Sequence, residues 1–336
     1  MPSFCRHGRF VERCPICSKS LPGNEPSAGR PSRPKSSGAR SRGSAGTVSR
    51  NRRVRGEGVR VRREGRAEDD GYSSPLIPGV RASVDALRLA DEIAFSSGRL
   101  LALAADPPGL YGEARALAAT DLEQASWICF LTAYLCPLEG DDPFAGIRQA
   151  LASTPDGDDR ATGALPDLTD VPLGPRTSHD PARGTDTLVA YRQWVQRTGG
   201  SQTLAFGGDA AWTPQRRFER LHERLALPGF GRMGRYDLLV TLGRLGLYKL
   251  QPGSLRLTGA PADDLTTLGA KRVFGIGDPL LLERRAETLA QAAAVPIEAL
   301  DLALANWAAP TRATLGFQPQ SSDGDALDRV GDALGL

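Results

Sequence analysis

The stretch LPGFGRMGRYDLLVTLGRLG, residues 227–246, decides the fold prediction for this chain. A proline and two glycines around one aromatic residue predict a tight turn, and the apolar residues that follow predict a helix that begins at once. Backbone N–H groups at a helix start bind anions, and Arg232 and Arg235 lie in the first turn of this helix. The stretch therefore predicts a phosphate-binding turn between two helices.

The residues around this turn predict a largely helical domain. Thr213 is a predicted N-cap, and Pro214 follows at the first helical position, where proline is favoured. Elsewhere apolar residues recur at spacings of three and four, and strand-like pieces such as SLRLTG are short. We therefore predict an all-α domain over residues 71–336, with a helix-hairpin-helix at about 215–246 and a long loop over 151–176.

Residues 24–70 are rich in Ser, Gly, Pro and Arg and almost free of aromatic residues. Such a segment cannot bury enough apolar surface to offset its ordering entropy, so we predict a disordered basic linker. The formal net charge of the whole chain is only +3, and attraction to a polyanion would have to come from clusters like this one. The linker is either a loose nucleic-acid tether or a soluble spacer.

The first 23 residues contain a cluster of metal-ligand residue types. Cys14 and Cys17 form a CPIC knuckle whose two-residue gap lets both sulfurs face one ion, and Cys5 and His7 could complete a tetrahedral site. Four protein ligands leave no open position, so the predicted role of the zinc is structural. The alternative is a redox CxxC pair, which more often lies at a helix start after a strand.

The remaining cysteines, Cys129 and Cys136, lie in an apolar helical segment and are predicted core thiols. Five cysteines leave one over from any full disulfide pairing, which favours a reducing, cytoplasmic location. No apolar run is long enough for a membrane span, and the first residues lack the apolar core of a signal peptide. The sequence indicates no protein partner.

The turn and its helices resemble the helix-hairpin-helix superfamily of base-excision DNA glycosylases. More closely, the chain resembles the alpha-glutamyl/putrescinyl thymine pyrophosphorylase family over most of residues 110–310. The motifs that carry this resemblance are FLTAYLCPLEGDDPFAGI, SHDPARGTDTLVAYRQW, the opening stretch and AKRVFGIGDPLLLERRA. The resemblance implies a glycosylase-like helical fold, DNA with modified bases as the partner, and a phage-related or anti-phage role.

In the superfamily, the hairpin glycines let the backbone approach a DNA phosphate, which is bound without regard to base sequence. The resemblance transfers this role to Gly229 and Gly231, with Arg232 and Arg235 as flanking cations. The alternative is an ordinary hairpin that packs two core helices.

The superfamily's catalytic aspartate would fall near Gln251, where no carboxylate is present. An insertion over residues 251–262 would place Asp264 there instead, at the start of the next helix, although Asp264 could serve only as an N-cap. Asp237, inside the second hairpin helix, is the second candidate, as a site residue or as a structural partner of an arginine. Met233 replaces the lysine of bifunctional glycosylases, so a Schiff-base lyase step is not expected.

Further candidates come from the other motifs. Asp142 follows the FLTAYLCPLEG helix at the expected edge of a base pocket, and His179 is an acid/base candidate or a surface histidine. Tyr191 and Trp194 share a helix and could stack on an extruded base, or belong to the core. The favoured hypothesis is a DNA-binding enzyme that acts on a modified pyrimidine by base excision or by reaction at the base substituent. The alternative is a non-catalytic DNA-binding protein with this fold.

We expect the purified full-length protein to contain one zinc ion, bound by Cys5, His7, Cys14 and Cys17. Elemental analysis checks this, and a content below about half an equivalent would contradict a closed four-ligand site. Cys14→Ser should unfold the head and leave the helical domain folded, because the linker separates the two.

Overall fold

The computed structural model describes residues 67–153, 165–318 and 321–336, all within the compact unit Val61–Leu336. These residues contain α-helices, one short 3-10 helix at Pro181–Arg183 and no strand, which confirms the all-α prediction. The helices are α1 (Ser83–Ala105), α2 (Gly109–Leu117), α3 (Leu122–Leu135), α4 (Ala145–Ala152), α5 (Asp186–Arg197), α6 (Gln202–Gly207), α7 (Pro214–Arg224), α8 (Arg232–Arg244), α9 (Leu265–Phe274), α10 (Pro279–Ala292), α11 (Ala299–Ala308) and α12 (Gly324–Leu334).

Side-chain caps fix the starts of several of the described helices, among them α7 and α9. Thr213 caps α7 by accepting a hydrogen bond from the Arg216 N–H, with Pro214 at the first helical position as predicted. The SLRLTG piece is not a strand. Its Leu255 and Leu257 N–H groups donate to the Glu283 carboxylate on α10, and this contact ties the α8–α9 connection to the fold.

The core is built around α11, which packs against α1 and α9, while α1 also contacts α12. Gly269 lets α9 approach α11 closely, because a Cβ atom at this position would lie 2.1 Å from the Leu304 carbonyl oxygen. Cys129 and Cys136 are buried free thiols, as predicted. Helix α8 lies against α3 and α1, so the predicted hairpin helix is part of the same core.

The residues of the predicted helix-hairpin-helix form α7, a turn over residues 225–231, and α8. Gly229 has φ +75°, a backbone conformation that favours glycine, and Phe230 is buried beneath the turn. The Thr187 hydroxyl on α5 donates to the Pro228 carbonyl at 2.9 Å. A Cβ at Gly229 would lie 2.3 Å from the same hydroxyl, so the turn is held closely against α5.

The loop before α5 is fastened to the carboxyl end of α3. The Gly174 N–H donates to the Leu135 carbonyl, and the Ser178 N–H donates to the Tyr134 carbonyl at 2.8 Å. Cys136, the C-cap of α3, has φ +62°, an unfavourable conformation for a residue with a side chain. These contacts place the intervening Arg176 inside the domain, where it is 3% exposed.

The predicted zinc ligands Cys5, His7, Cys14 and Cys17, and most of the predicted linker, lie outside the described residues. Part of the predicted 151–176 loop does too, and its first residues belong to the end of α4. Among the helices that are described, none combines the length and apolar character that a membrane crossing requires.

Candidate active site

Two arginines and three aspartates form a buried ion network between α8, α9, α11 and the loop before α5. Arg232 Nε lies 3.0 Å from Asp264 Oδ2, and Arg232 Nη1 lies 2.8 Å from Asp301 Oδ1. Arg176 Nη2 lies 3.1 Å from Asp237 Oδ2 and 3.0 Å from Asp301 Oδ2. Asp301 therefore joins the two arginines into one network.

The three carboxylates do not have the same number of arginine partners. Burial alone would raise the pKa of Asp301, but Arg232 and Arg176 lie beside it and lower that pKa below its ordinary value. Burial raises the pKa of Asp237 and the neighbouring Asp301 raises it further. Its ion-pair partner Arg176 and the more distant charge of Arg99 lower it but do not reverse the shift. Asp237 therefore holds a proton more readily than an ordinary aspartate, whereas Asp301 holds one less readily.

Asp237 also connects the network to a pocket. The pocket has a volume of about 290 Å³, including the space open to solvent, and its inner part is little wider than a water molecule. Asp237 and Arg176 line it together with Arg99 from α1. The Asp237 side chain is 14% exposed, against 2% for Arg176 and Asp301, so Asp237 is the more accessible end of the network.

The backbone is strained at two points of the pocket wall. Cys136 has φ +62° and Leu315 has φ +55°, and both line the pocket. The Tyr111 hydroxyl donates to the Leu315 carbonyl and helps to hold it. Residues kept in sparsely populated conformations cluster at functional sites, which supports this pocket as the site. Burial raises the pKa of the Cys136 thiol to about 12, so this residue lines the pocket as a neutral thiol and is not a nucleophile.

The two predicted catalytic aspartates occupy different positions. Asp264 caps α9, accepting a hydrogen bond from the Thr267 N–H at 2.8 Å, and its other oxygen pairs with Arg232. It is 9% exposed and is not among the residues that line the pocket. Asp237 does line the pocket, so the geometry favours it, and catalysis by either residue stays a prediction.

The predicted acid/base candidates His179 and Asp142 lie away from this pocket. The His179 ring Nδ1 is 2.8 Å from the Tyr134 hydroxyl, and burial lowers the pKa of His179, so the ring is neutral near neutral pH. Asp142 lies on the surface and pairs with Arg148. Neither residue is brought together with the Arg–Asp network.

The base-stacking prediction for Tyr191 and Trp194 needs correction. These side chains are 1% and 3% exposed, and the rings of Tyr191 and Phe130 stack with centroids 3.6 Å apart. A ring enclosed by core aromatics cannot receive an extruded base without unpacking the core. Both residues belong to the core, which was the stated alternative.

Only part of the predicted anion-binding set lies at the surface of the hairpin, and anion binding by these residues stays a prediction. Gly231 is exposed, no side chain caps the start of α8, and a Cβ at Gly231 would meet no atom within 4 Å. The prediction that Arg232 binds a DNA phosphate needs correction, because its guanidinium is buried in ion pairs with the network aspartates and cannot face the phosphate. Arg235 is half-buried and donates to the His222 carbonyl at 2.8 Å. Arg183, exposed beside Gly229, is a cation that the sequence analysis did not select.

Sequence reasoning also did not select Arg99, Arg176 and Asp301. The sequence nevertheless contains a signal for Arg99 and Asp301. Arg99 stands in the apolar part of α1, and Asp301 stands in α11, whose other residues are almost all apolar. A charge within such a helix needs a buried partner or a ligand. Arg176 lies in a loop, where an arginine is ordinary, and its role depends on the fold.

This helical domain contains a buried Arg–Asp network that opens into a pocket, and these residues form the candidate active site. Residues 176–315 match the family described as alpha-glutamyl/putrescinyl thymine pyrophosphorylase clade 3, which confirms the predicted resemblance to this family over that segment, and the family name implies an enzyme. The matched segment begins at Arg176 and contains the other four network residues, while Arg99 lies outside it. Comparisons with curated proteins and with solved structures gave no match.

The network predicts an unequal dependence of stability on two aspartates. Asp301→Asn should lower the free energy of unfolding by about 3–5 kcal/mol, because it leaves two buried guanidinium groups short of a counter-charge. Asp142→Asn, the control, removes an exposed ion pair and should cost less than about 1 kcal/mol. Denaturant unfolding of the full chain measures both. Equal losses would show that the network does not hold the fold together.

Proposed function

We propose that this protein is an enzyme that acts on a modified thymine in DNA by a pyrophosphorylase-type reaction, with Asp237 in the reacting pocket. The observation that carries the proposal is the position of Asp237. It lies within the segment that matches the family, it lines a pocket, and burial raises its pKa. A carboxylate at a pocket whose pKa is raised is a stronger base than an ordinary aspartate, which suits it to proton transfer.

The name of the matched family implies a substitution at an activated thymine substituent. In this reaction a nitrogen of a glutamyl or putrescinyl group forms a bond to the carbon on the thymine ring substituent. The bond from that carbon to a pyrophosphate oxygen breaks, and pyrophosphate leaves with the electron pair. The attacking amine must lose a proton, which the Asp237 carboxylate accepts. In the reverse direction the same carboxyl group returns the proton.

The hairpin supports DNA as the carrier of the base. The start of α8 has no side-chain cap and its N-cap residue Gly231 is exposed, and the positive φ of Gly229 forms the tight turn before it. Backbone donors and a helix start bind phosphates regardless of sequence. Arg235 and Arg183 lie beside the turn and supply positive charge. A base in a duplex would have to be extruded to reach the pocket.

The direct test uses duplex DNA that contains a thymine whose methyl carbon carries a pyrophosphate. The full-length protein is incubated with this DNA and with glutamate or putrescine, and nucleosides and free bases are analysed by mass spectrometry. The proposal predicts an amine-substituted base and an equal amount of released pyrophosphate. A released free base would show excision instead. Unchanged DNA that is nevertheless bound would favour a non-catalytic DNA-binding protein.

Asp237→Asn should lower the rate at least about 100-fold, because the amide cannot accept the amine proton. In the unmodified protein kcat/KM should fall as the pH falls through the raised pKa of Asp237, since protonation removes the base. The variant should lack this acidic limb. Single-turnover rates over a pH series provide the measurement.

Two other variants control this experiment. Asp142→Asn changes an exposed aspartate and should leave the rate unchanged. Asp264→Asn keeps the capping shape at α9 and removes a charge that lies outside the pocket. A large rate loss in Asp264→Asn together with a normal rate in Asp237→Asn would move the catalytic assignment to Asp264.

The hairpin is tested at Gly231. Gly231→Asp should preserve or improve stability, because aspartate is a better N-cap than glycine there and the site has open space. It should weaken binding of a duplex at least about tenfold, because the carboxylate occupies the N–H groups and repels the phosphate. Binding measured against salt concentration should also show a smaller slope. Gly277→Asp adds the same charge at another open glycine and serves as the control. Equal affinities of the two variants would contradict DNA binding by the hairpin.

A further inference from the structure

Arg99 is a buried cation without a counter-charge in contact. It is 2% exposed, and its Nε has no hydrogen-bond partner among the described residues. No described carboxylate lies within ion-pair distance of its guanidinium, which instead lies 5.9 Å from the centre of the Phe317 ring. An isolated charge in such a place is costly, so an apolar residue would serve the fold better.

Arg176 has an unused hydrogen-bond donor at the same pocket. Its Nη2 serves both Asp237 and Asp301, while its Nη1 is buried and has no hydrogen-bond partner within the described part of the chain. Arg99 and Arg176 both line the pocket that Asp237 enters. Two guanidinium groups with unused donors therefore lie at one pocket, whose wall includes the strained residues Cys136 and Leu315.

We propose that Arg99 and Arg176 form the subsite that holds the pyrophosphate group in this pocket. The inference rests on the proposed function, because the reacting pyrophosphate must lie next to Asp237. Planar guanidinium groups match phosphate oxygens with paired N–H donors, and such charge-assisted hydrogen bonds are the strong ones. Negative charge that develops on the departing pyrophosphate would be stabilised by the same donors.

The depth of the pocket selects the kind of phosphate. Both arginines are nearly enclosed, so a backbone phosphate on the surface of DNA does not reach them. A terminal phosphoryl group that projects from a base, or a free pyrophosphate ion, can place an oxygen in the narrow inner part. The rest of the group then occupies the part that opens to solvent. The ligand chemistry is the same for the two sources.

A competing explanation is that Arg99 only balances the charge of Asp237, which is its strongest favourable charge interaction. The two explanations predict opposite effects on stability. If Arg99 is kept for an anion, Arg99→Met removes a buried unpaired charge and should preserve or raise the melting temperature. If Arg99 balances Asp237, the same variant should melt at a clearly lower temperature.

Titration calorimetry of the full-length protein with inorganic pyrophosphate tests the subsite directly. Arg99→Met should weaken binding at least about tenfold, equivalent to about 1.4 kcal/mol. Arg99→Lys keeps the charge and loses the paired N–H donors of the guanidinium group. Its affinity for pyrophosphate should therefore lie between those of Arg99→Met and the unmodified protein. Arg88→Met is the control. It removes an exposed arginine from the same helix and should bind pyrophosphate with the affinity of the unmodified protein.

The outcomes are separable from those of the DNA reaction. Pyrophosphate binding that depends on Arg99, without turnover of modified DNA, would support the subsite and contradict the proposed function. Amine substitution that proceeds with an unchanged KM for the pyrophosphorylated DNA in Arg99→Met would overturn the subsite and leave the function standing. Equal pyrophosphate affinity in Arg99→Met and Arg88→Met, or a marked loss of melting temperature in Arg99→Met, would also overturn it.

Discussion

The structure depends on one carboxylate in the middle of a buried helix. Asp301 is 2% exposed in α11, and a lone charge there would cost more than the domain's stability can offset. Two arginines from other parts of the chain compensate it, Arg232 at the start of α8 and Arg176 in the loop before α5. The hairpin helix, the loop and α11 must therefore be in register for the protein to fold. The network fixes their relative positions in a way that non-directional apolar contacts alone do not.

This constraint changes how the hairpin can bind an anion. Arg232 has the position of a phosphate-binding arginine, but its guanidinium points into the domain, where it pairs with Asp264 and Asp301. The proposed binding of a phosphate at the surface therefore rests on the backbone at Gly231 and on the side chains of Arg235 and Arg183. The first turn of α8 thus has two faces. Arg232 ties one face to the core, and Gly231 on the other face is exposed.

The sequence was a good guide to the helices and a poor guide to burial at the site. Spacing and caps predicted α7 and α8 and allowed for Asp264 as the cap of α9, because these signals act between residues close in the chain. Whether Arg232 faces solvent or the core depends on Asp301, a distant residue whose position only the complete fold determines. The same limit applies to Tyr191, since helical spacing places it on a face without showing which other rings cover that face.

The uneven sharing of charge in the network distinguishes the structural Asp301 from Asp237, the carboxylate that we propose to react. Asp301 has two arginine partners and a lowered pKa, so it stays ionised and holds the fold. Asp237 has one partner, is more exposed at the pocket, and has a raised pKa. A third guanidinium, Arg99, lines the same pocket without making an ion pair with Asp237. A fold selected for stability alone would give Arg99 a carboxylate in contact or replace it by an apolar residue. Under the proposed function, Asp237 is the proton acceptor and Arg99 is an anion-binding cation of one pocket, which is the arrangement that a substitution with an anionic leaving group requires.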